Sequence, residues 1–220
     1  MCRVKNWVCT HPVLFALIFF AFYFSGFFLL EHFITQPTYL IGCALDELIP
    51  FNEWFIFPYG AWFVLIPWAL ITLLLYDREN YFYLCGVMFS GMALCLVLYA
   101  LFPNGVDLRP EQIASDNIAA SLVHIIWAVD TSTNVCPSIH VSTTVAIFLA
   151  VQRSRIWKRR RLVVGTCGIL TVLICMATVF LKQHSVIDVV CGIALSMALH
   201  LVFRGMGNRQ EQMVCELSKN

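Results

Sequence analysis

Long apolar segments constrain the fold of this chain more than any other feature of its sequence. Six stretches are each close to the ~20 residues that an α-helix needs to cross the hydrocarbon core of a bilayer. They cover residues 12–34, 58–76, 80–102, 138–157, 162–181 and 186–203. Hydrophobic residues make up 60% of the chain and charged residues 12%, against about 25% charged residues in a typical soluble domain. The sequence therefore predicts an integral membrane protein.

We expect an all-α fold in which residues 1–220 form a single membrane domain, built as a bundle of six transmembrane helices. The fourth span is the weakest of the six, because its last turn contains Arg153 and Arg155. Segment 36–57 cannot span because it carries Asp46, Glu47 and Glu53, and we expect it to form an interfacial helix on the outer face. Segment 111–130 mixes apolar with polar residues, and we expect a helix there that leads from Arg109 to the turn at Ser138 and packs over or between the spans on this outer side.

The basic residues predict the orientation of the bundle, because Lys and Arg in short loops mark the cytoplasmic side. With six spans and both termini inside, all Lys and Arg residues except Arg109 and Lys182 fall on the cytoplasmic face. The position of these two cations on the outer side, against the usual bias of Lys and Arg, needs an explanation. An ion pair with Asp107 or Glu111 is the structural explanation for Arg109, and snorkelling to the interface is the one for Lys182. Anion binding is the functional explanation for both.

Two short polar motifs, at residues 134–140 and 182–188, interrupt the apolar sequence. Ionisable groups are costly at or near a membrane, so they indicate function by default. The predicted topology places the start of span four, the start of span six and the loop after span three on the same membrane face. Six residues of phosphate-compatible chemistry therefore share the outer face: Arg109, Ser138, His140, Lys182, His184 and Asp188.

The chemistry of these residues suits an anionic substrate. His184 and Asp188 are four residues apart and so lie on one helix face, where the carboxylate can fix the tautomer of the imidazole. The alternative is a pair that only ties the start of span six. Pro137 and Ser138 suit a helix N-terminus, which binds anions through free N–H groups, although an ordinary cap is equally compatible. Arg109 can hold a phosphate with two parallel hydrogen bonds.

Three motifs together resemble the type 2 phosphatidic acid phosphatase superfamily of lipid phosphatases and phosphotransferases. They are Arg109-Pro110, then Pro137-Ser138-Ile139-His140, then His184-Ser185-Val186-Ile187-Asp188. The resemblance covers about residues 101–192, where the catalytic motifs are expected. Each motif alone is a weak signal, whereas the three in this order on one membrane face form a specific one.

The resemblance implies a role for each matching residue. His184 would be the nucleophile that forms a phosphohistidine, and Asp188 would orient it. His140 would be the general acid that protonates the leaving oxygen. Arg109 and Ser138 would hold the non-bridging phosphate oxygens. The resemblance implies no metal and no other cofactor.

The sequence departs from the family pattern at three positions. Ile139 stands where the second motif usually has Gly, and Phe102 replaces a Lys that usually precedes the first motif. Thr178 stands where the third motif usually has Arg, and Lys182 is the cation predicted to replace it near His184. The second and third motifs look more like the branch that contains inositol phosphorylceramide synthases. The first motif looks like bacterial phosphatase relatives.

The leading hypothesis is a multi-pass membrane phosphatase that hydrolyses a phosphomonoester or pyrophosphate lipid at the extracytoplasmic face, in a bacterial plasma membrane. Candidate substrates are phosphatidic acid, phosphatidylglycerol phosphate, and isoprenoid or sphingoid phosphates. The alternative is a lipid phosphotransferase that moves a phospho-headgroup to a lipid alcohol. A small transporter is the remote alternative, since it would place ionisable residues at several depths. The expected partners are membrane lipids, with no nucleic acid.

Overall fold

A computed structural model describes residues 2–217, with side chains described for residues 6–205. The described chain is mostly helical, with a two-residue parallel pairing of β1 and β2 as its sheet. The elements in chain order are α1 (Cys2–Thr10), α2 (Pro12–Phe33), β1 (Tyr39–Leu40), α3 (Ala44–Leu48), a 3-10 turn (Glu53–Phe55), α4 (Ile56–Tyr76), α5 (Arg78–Leu101), β2 (Asn104–Gly105), α6 (Ile118–Val129), α7 (Ile139–Arg153), α8 (Arg161–Phe180) and α9 (Val186–Leu217).

The all-α membrane bundle predicted from the sequence is confirmed. Within the described residues, five helical segments are long and apolar enough to cross a bilayer: Pro12–Phe33, Glu53–Tyr76, Arg78–Leu101, Arg161–Phe180 and Val186–Gly205. The chain is therefore a multi-pass membrane protein.

The fourth predicted span is shorter than expected. Helix α7 has 15 residues and so covers about 22 Å, less than the ~30 Å hydrocarbon core. It ends at Arg153 because the Ser154 hydroxyl and the Arg155 backbone N–H both donate to the carboxylate of Asp77, at 2.8 and 2.9 Å. A count of six spans stays a prediction that depends on α7.

Helices α5 and α7 form the centre of the bundle, and their facing side chains make up most of its buried apolar core. Helices α4, α8 and α9 pack around α7, while α2 packs against α5. Gly192 permits the closest approach of α9 to the start of α7. A Cβ at this position would lie 2.8 Å from the Ser138 carbonyl oxygen, so a larger residue would push the two helices apart.

The two interfacial segments cover one end of the bundle. Segment 36–57 contains β1, the short helix α3 and the 3-10 turn, and segment 111–130 contains α6. Asn104 ties this end together, because its Oδ1 accepts hydrogen bonds from the N–H groups of Val135 and Cys136. The chain that enters α7 is thereby held beside the end of α5.

The loop between α7 and α8, which contains Lys158, Arg159 and Arg160, lies at the opposite end of α7 from Ser138. Arg153 and Arg155 both pair with Glu79 at the start of α5, at 3.1 and 2.8 Å. Arg78 donates to the carbonyl of Cys9 at this same end. Four further basic residues used for the orientation, Arg3, Lys5, Arg209 and Lys219, lie outside the residues whose side chains are described.

Candidate active site

The structure brings His140 and His184 together from distant parts of the chain. His140 lies in the first turn of α7, and His184 lies in the turn that precedes α9. Nδ1 of His140 is 3.4 Å from Nε2 of His184. Three backbone hydrogen bonds form the tight turn that carries His184, because the N–H groups of Gln183 and His184 both donate to the Thr178 carbonyl and Lys182 N–H donates to that of Val179.

Asp188 approaches the other nitrogen of the His184 ring. Its Oδ2 lies 3.4 Å from Nδ1 of His184, one helical turn away, and the carboxylate is fully buried. The same oxygen accepts a hydrogen bond from the Ser185 N–H at 2.9 Å, which fixes the carboxylate in place. His184 therefore presents Nε2 to His140 and Nδ1 to a carboxylate, an arrangement that leaves Nε2 free to act as a base or nucleophile.

Ser138 lies at the N-terminus of α7 and is fully buried. Its hydroxyl oxygen accepts a hydrogen bond from the Val141 N–H at 3.4 Å, as an N-cap does. Its own backbone N–H donates to the Asp188 carbonyl at 3.2 Å. Ser138 therefore caps α7 and joins it to α9, so that His140 and His184 are held in register.

Arg109 binds the carboxyl end of α6. Its guanidinium donates to the carbonyl oxygens of Trp127 at 3.3 Å and Asp130 at 2.6 Å, and also to Oε1 of Gln183. Neither Asp107 nor Glu111, the ion-pair partners considered from the sequence, is a partner of Arg109 among the described ion pairs. Its Nε–H is buried without an acceptor. Arg109 thus satisfies helix-end carbonyls and contacts Gln183, the residue before His184, while one of its donors stays unused.

Lys182 binds the carboxyl end of α3 and does not line the cavity beside the histidines. Its ammonium donates to the carbonyl oxygens of Asp46 at 2.6 Å and Ile49 at 2.5 Å, and the residue is 7% exposed. The backbone of Lys182 has a positive φ of 56°, which turns the chain back toward His184. Phosphate binding by Lys182 stays a prediction, and it would require the ammonium to leave these two carbonyls.

Three further polar residues at the site were not identified from the sequence. The hydroxyl of Tyr59, on α4, donates to Oδ2 of Asp130 at 2.7 Å and lies 2.9 Å from Nε2 of His140. Gln183 donates to the same Asp130 oxygen at 3.3 Å. Tyr59 and Asp130 lie outside the motifs, and Gln183 lies in the polar motif at residues 182–188 but had no role assigned to it. The sequence offered one indication, the carboxylate of Asp130 in an outer segment, because a carboxylate that becomes buried usually has partners.

Burial of Asp130 and the groups around it have opposite effects on the pKa of its carboxyl. Desolvation raises the pKa of the Asp130 carboxyl, while the hydrogen bond from the Tyr59 hydroxyl and the Arg109 guanidinium act to lower it. Desolvation likewise lowers the pKa of the Arg109 guanidinium, and Asp130 counteracts that effect. Arginine remains charged in either case, because its ordinary pKa is far above neutral.

Two adjoining cavities connect the histidines with the apolar interior. The first, of about 140 Å³, is lined by both histidines, Asp130 and Gln183. The second, of about 380 Å³, lies between α2 and α4 with α5 beneath it, and its lining is almost wholly apolar. Both cavities share four aromatic lining residues: Tyr23, Phe24, Trp62 and Phe63. A polar site therefore opens into an apolar groove that runs along the bundle.

Comparison with known families adds one match. The sequence profile of the PAP2 superfamily matches residues 80–211, which is more than half of the chain. The match includes most of α5, all of α6 to α8 and most of α9, and with them every residue singled out above in the three motifs. No curated protein matches the chain.

Proposed function

The chain belongs to the PAP2 superfamily, whose members are phosphatases or phosphotransferases, and we propose that it is a membrane lipid-phosphate phosphatase that works through a phosphohistidine on His184. One observation carries this proposal. Nε2 of His184 faces a second histidine while its Nδ1 faces the buried carboxylate of Asp188, and the pair opens into an apolar groove. The groove suits the chain of a lipid, and the paired rings suit nucleophilic attack with proton transfer.

In the first step, Nε2 of His184 attacks phosphorus, a nitrogen–phosphorus bond forms, and the bond to the lipid oxygen breaks. Asp188 stabilises the positive charge that develops on the ring. His140 gives its Nδ1 proton to the departing lipid oxygen, which leaves as an alcohol. The two ring nitrogens are 3.4 Å apart, so the rings must separate to admit a phosphoryl group. We expect substrate to widen this gap.

In the second step, water attacks the phosphohistidine. Neutral His140 takes a proton from the water as the nitrogen–phosphorus bond breaks, which returns both histidines to their starting state and releases inorganic phosphate. The same residue thus acts as an acid and then as a base.

Donors behind the histidines would hold the phosphate. The N-terminus of α7, capped by Ser138, offers backbone N–H groups and the positive end of the helix dipole. The unused Nε–H of Arg109 lacks an acceptor, and a phosphate oxygen would supply one. Phosphoryl transfer depends mainly on positioning and on charge stabilisation, which such donors provide.

We propose that the site faces the extracytoplasmic side, with both termini in the cytoplasm. The basic residues of the loop after α7 support this orientation, because they lie at the end of α7 opposite to Ser138. A bacterial plasma membrane is the membrane that we propose. Accessibility of single-cysteine variants to an impermeant reagent in oriented vesicles would test the orientation.

Phosphate release from a panel of lipid phosphates in detergent tests the proposed reaction. Wild type should release inorganic phosphate and form an acid-labile phosphoprotein, and His184→Ala should do neither. His124→Ala is a matched control, since His124 is an exposed histidine on α6. Equal release by wild type and His184→Ala would overturn the proposal.

Transfer to a lipid alcohol is the second candidate, and Thr178 favours it. This residue stands where the third motif of phosphatases usually has Arg, yet it is fully buried and its hydroxyl donates to the Cys175 carbonyl. The cation is therefore missing, as it is in the phosphotransferase branch. A labelled phospholipid donor, incubated with and without a lipid alcohol, separates the two reactions. A phosphatase releases phosphate without the alcohol, whereas a transferase requires it and forms a new lipid.

A further inference from the structure

We propose that Tyr59 and Asp130 form a positioning pair that fixes the orientation and the proton-carrying nitrogen of His140. The inference rests on the proposed function, since it assigns these residues to the acid–base step of that reaction. Tyr59 comes from α4 and Asp130 from the end of α6, so neither lies in the motifs that contain the histidines.

Asp130, which accepts the hydrogen bond from Tyr59, determines the direction of the hydrogen bond between Tyr59 and His140. Oδ2 of Asp130 accepts from the Tyr59 hydroxyl at 2.7 Å and from the side-chain amide of Gln183 at 3.3 Å. The hydroxyl proton is therefore committed to Asp130. The oxygen of Tyr59, 2.9 Å from Nε2 of His140, is left as an acceptor, so Nε2 carries the hydrogen.

This assignment decides which nitrogen of His140 reacts. With Nε2–H held by Tyr59, Nδ1 is the position that gains and loses a proton. Nδ1 is also the atom that faces His184, at 3.4 Å. The pair therefore directs the exchangeable proton toward the place where the phosphoryl group is transferred, and it stabilises the charged form of the ring through Asp130.

The ring of His140 is also held mechanically. Its centroid lies 4.8 Å from that of Tyr59 and 4.4 Å from that of Trp62. Trp62 is itself fixed, because its indole N–H donates to the Thr143 hydroxyl at 2.8 Å. Tyr59 is 1% exposed, so water cannot replace its hydroxyl as the hydrogen-bond partner of His140 unless α4 moves.

Several titratable or charged groups belong to the polar cluster that contains His140, Tyr59 and Asp130. They come from α2, α4, the loop before α6, the end of α6, the turn before α9 and α9 itself: Glu31, Tyr59, Arg109, Asp130, His184 and Asp188. Within this set, Tyr59 is the residue whose side chain contacts Nε2 of His140. Removal of its hydroxyl disconnects His140 from Asp130 and leaves the remaining charges in place.

Tyr59→Phe and Asp130→Asn test the proposal, with two phosphate substrates that differ in the leaving group. A lipid alcohol needs protonation to leave, whereas p-nitrophenolate does not. We expect both variants to form the phosphoprotein from lipid phosphate at a rate reduced about tenfold to a hundredfold, a partial loss of the roughly 10²- to 10⁴-fold that general acid catalysis contributes. The rate of phosphoprotein formation from p-nitrophenyl phosphate should change by less than about threefold.

The pH profile gives an independent measurement. Without the link to Asp130, positive charge on His140 is less stabilised, so the high-pH limb of the lipid-phosphate rate should move to lower pH in both variants. The double variant should be no slower than the slower single variant, because the two residues act as one unit. Equal losses on both substrates with an unchanged pH profile would show that Tyr59 is only structural, and would overturn the proposal.

Tyr83→Phe is the matched control. Tyr83 is a buried tyrosine whose hydroxyl also contacts a histidine, His200, but at the opposite end of the bundle. It should retain wild-type rates on both substrates. If the variants at Tyr59 and Asp130 do not fold, ¹⁵N NMR of wild-type protein with labelled histidine tests the proposal by measuring the tautomer of His140. The neutral ring should carry its proton on Nε2. A proton on Nδ1 would overturn the proposal, while absence of activity in wild type would instead overturn the proposed function.

Discussion

Asp46 accepts a hydrogen bond of 2.6 Å from the hydroxyl of Ser185, the residue that follows His184. The same carboxylate accepts from the Val186 N–H at 2.8 Å, at the first turn of α9, and from the Cys43 N–H at 2.8 Å. A short outer helix is thereby fastened to the turn that carries the proposed nucleophile. Asp46 is 1% exposed, so these bonds form away from bulk water.

Replacement of this carboxylate should loosen the turn. We expect Asp46→Asn to lower the free energy of unfolding by about 1.5 to 3 kcal/mol, the range for hydrogen bonds to a charged group. Phosphate release should also fall, because the position of His184 is less well defined. Thermal unfolding in detergent measures the first effect. Glu47→Gln, at the exposed neighbouring carboxylate, should unfold at the wild-type temperature, and equal unfolding of both variants would contradict the role of Asp46.

The same contact predicts a dependence of stability on pH. Burial acts to raise the pKa of Asp46, but hydrogen bonds from Ser185, Val186 and Cys43 outweigh it and lower the pKa below its ordinary value of 3.8. A lowered folded-state pKa contributes stability that is complete above the ordinary value and is lost as the pH falls through the folded-state value. Wild type should therefore lose stability more steeply than Asp46→Asn below about pH 4. Parallel curves for the two proteins would contradict this.

Arg109 should not tolerate lysine. A single ammonium cannot reach the Trp127 and Asp130 carbonyls and the Gln183 amide at once, nor can it keep the Nε–H donor available. We expect Arg109→Lys to raise the KM for a lipid phosphate about tenfold and to weaken inhibition by inorganic phosphate to a similar extent, about 1.4 kcal/mol. Arg78→Lys is the control, because Arg78 binds a carbonyl at the other end of the bundle. Unchanged phosphate inhibition would show that Arg109 is only a helix cap.

Lys182→Gln should separate helix capping from phosphate binding. The ammonium bridges the Asp46 and Ile49 carbonyls, so its loss should lower the unfolding free energy by about 1 to 3 kcal/mol, the cost of unsatisfied buried acceptors. Inhibition by inorganic phosphate should change less than threefold (roughly 0.6 kcal/mol). A tenfold loss of phosphate affinity, about 1.4 kcal/mol, would instead make Lys182 a phosphate ligand.

The groove between α2 and α4 should govern the preference for lipid chains. Ala16 lines this groove, and Ala16→Trp would fill part of it. Displacement of two methylenes at about 0.8 kcal/mol each should raise the KM for long-chain lipid phosphates roughly tenfold. Short-chain substrates should be unaffected. Ala61→Trp fills a groove between α4 and α8 and serves as the control, and equal effects of both variants would argue against the assigned groove.

Apolarity alone predicted most of the fold. The five segments whose length and composition satisfy a bilayer appear as helices close to their predicted bounds, because a helix satisfies its backbone hydrogen bonds within one apolar segment. The length of α7 was not predictable in the same way. It ends where Asp77 captures Ser154 and Arg155, and that contact joins residues far apart in the sequence.

The candidate site was predictable where its residues lie in motifs. His140, His184 and Asp188 stand at spacings that constrain their geometry, whereas Tyr59 contacts His140 only through the packing of α4. In sequence, such a tyrosine resembles any aromatic residue near a span end. The partners of Arg109 and Lys182 were hidden for another reason. They are backbone carbonyls at helix ends, and carbonyls carry no sequence signal.

The two adjoining cavities would lead the two products of the proposed reaction into different surroundings, one aqueous and one lipid. The polar end of the site, at His184 and Gln183, lies under the outer segments, while the apolar groove extends along the N-terminal half of α2. An inorganic anion would depart toward water, and the dephosphorylated alcohol would depart sideways into the bilayer. Each turnover would thus leave its two products in different phases, so that recombination of alcohol and phosphate is disfavoured by their location as well as by dilution.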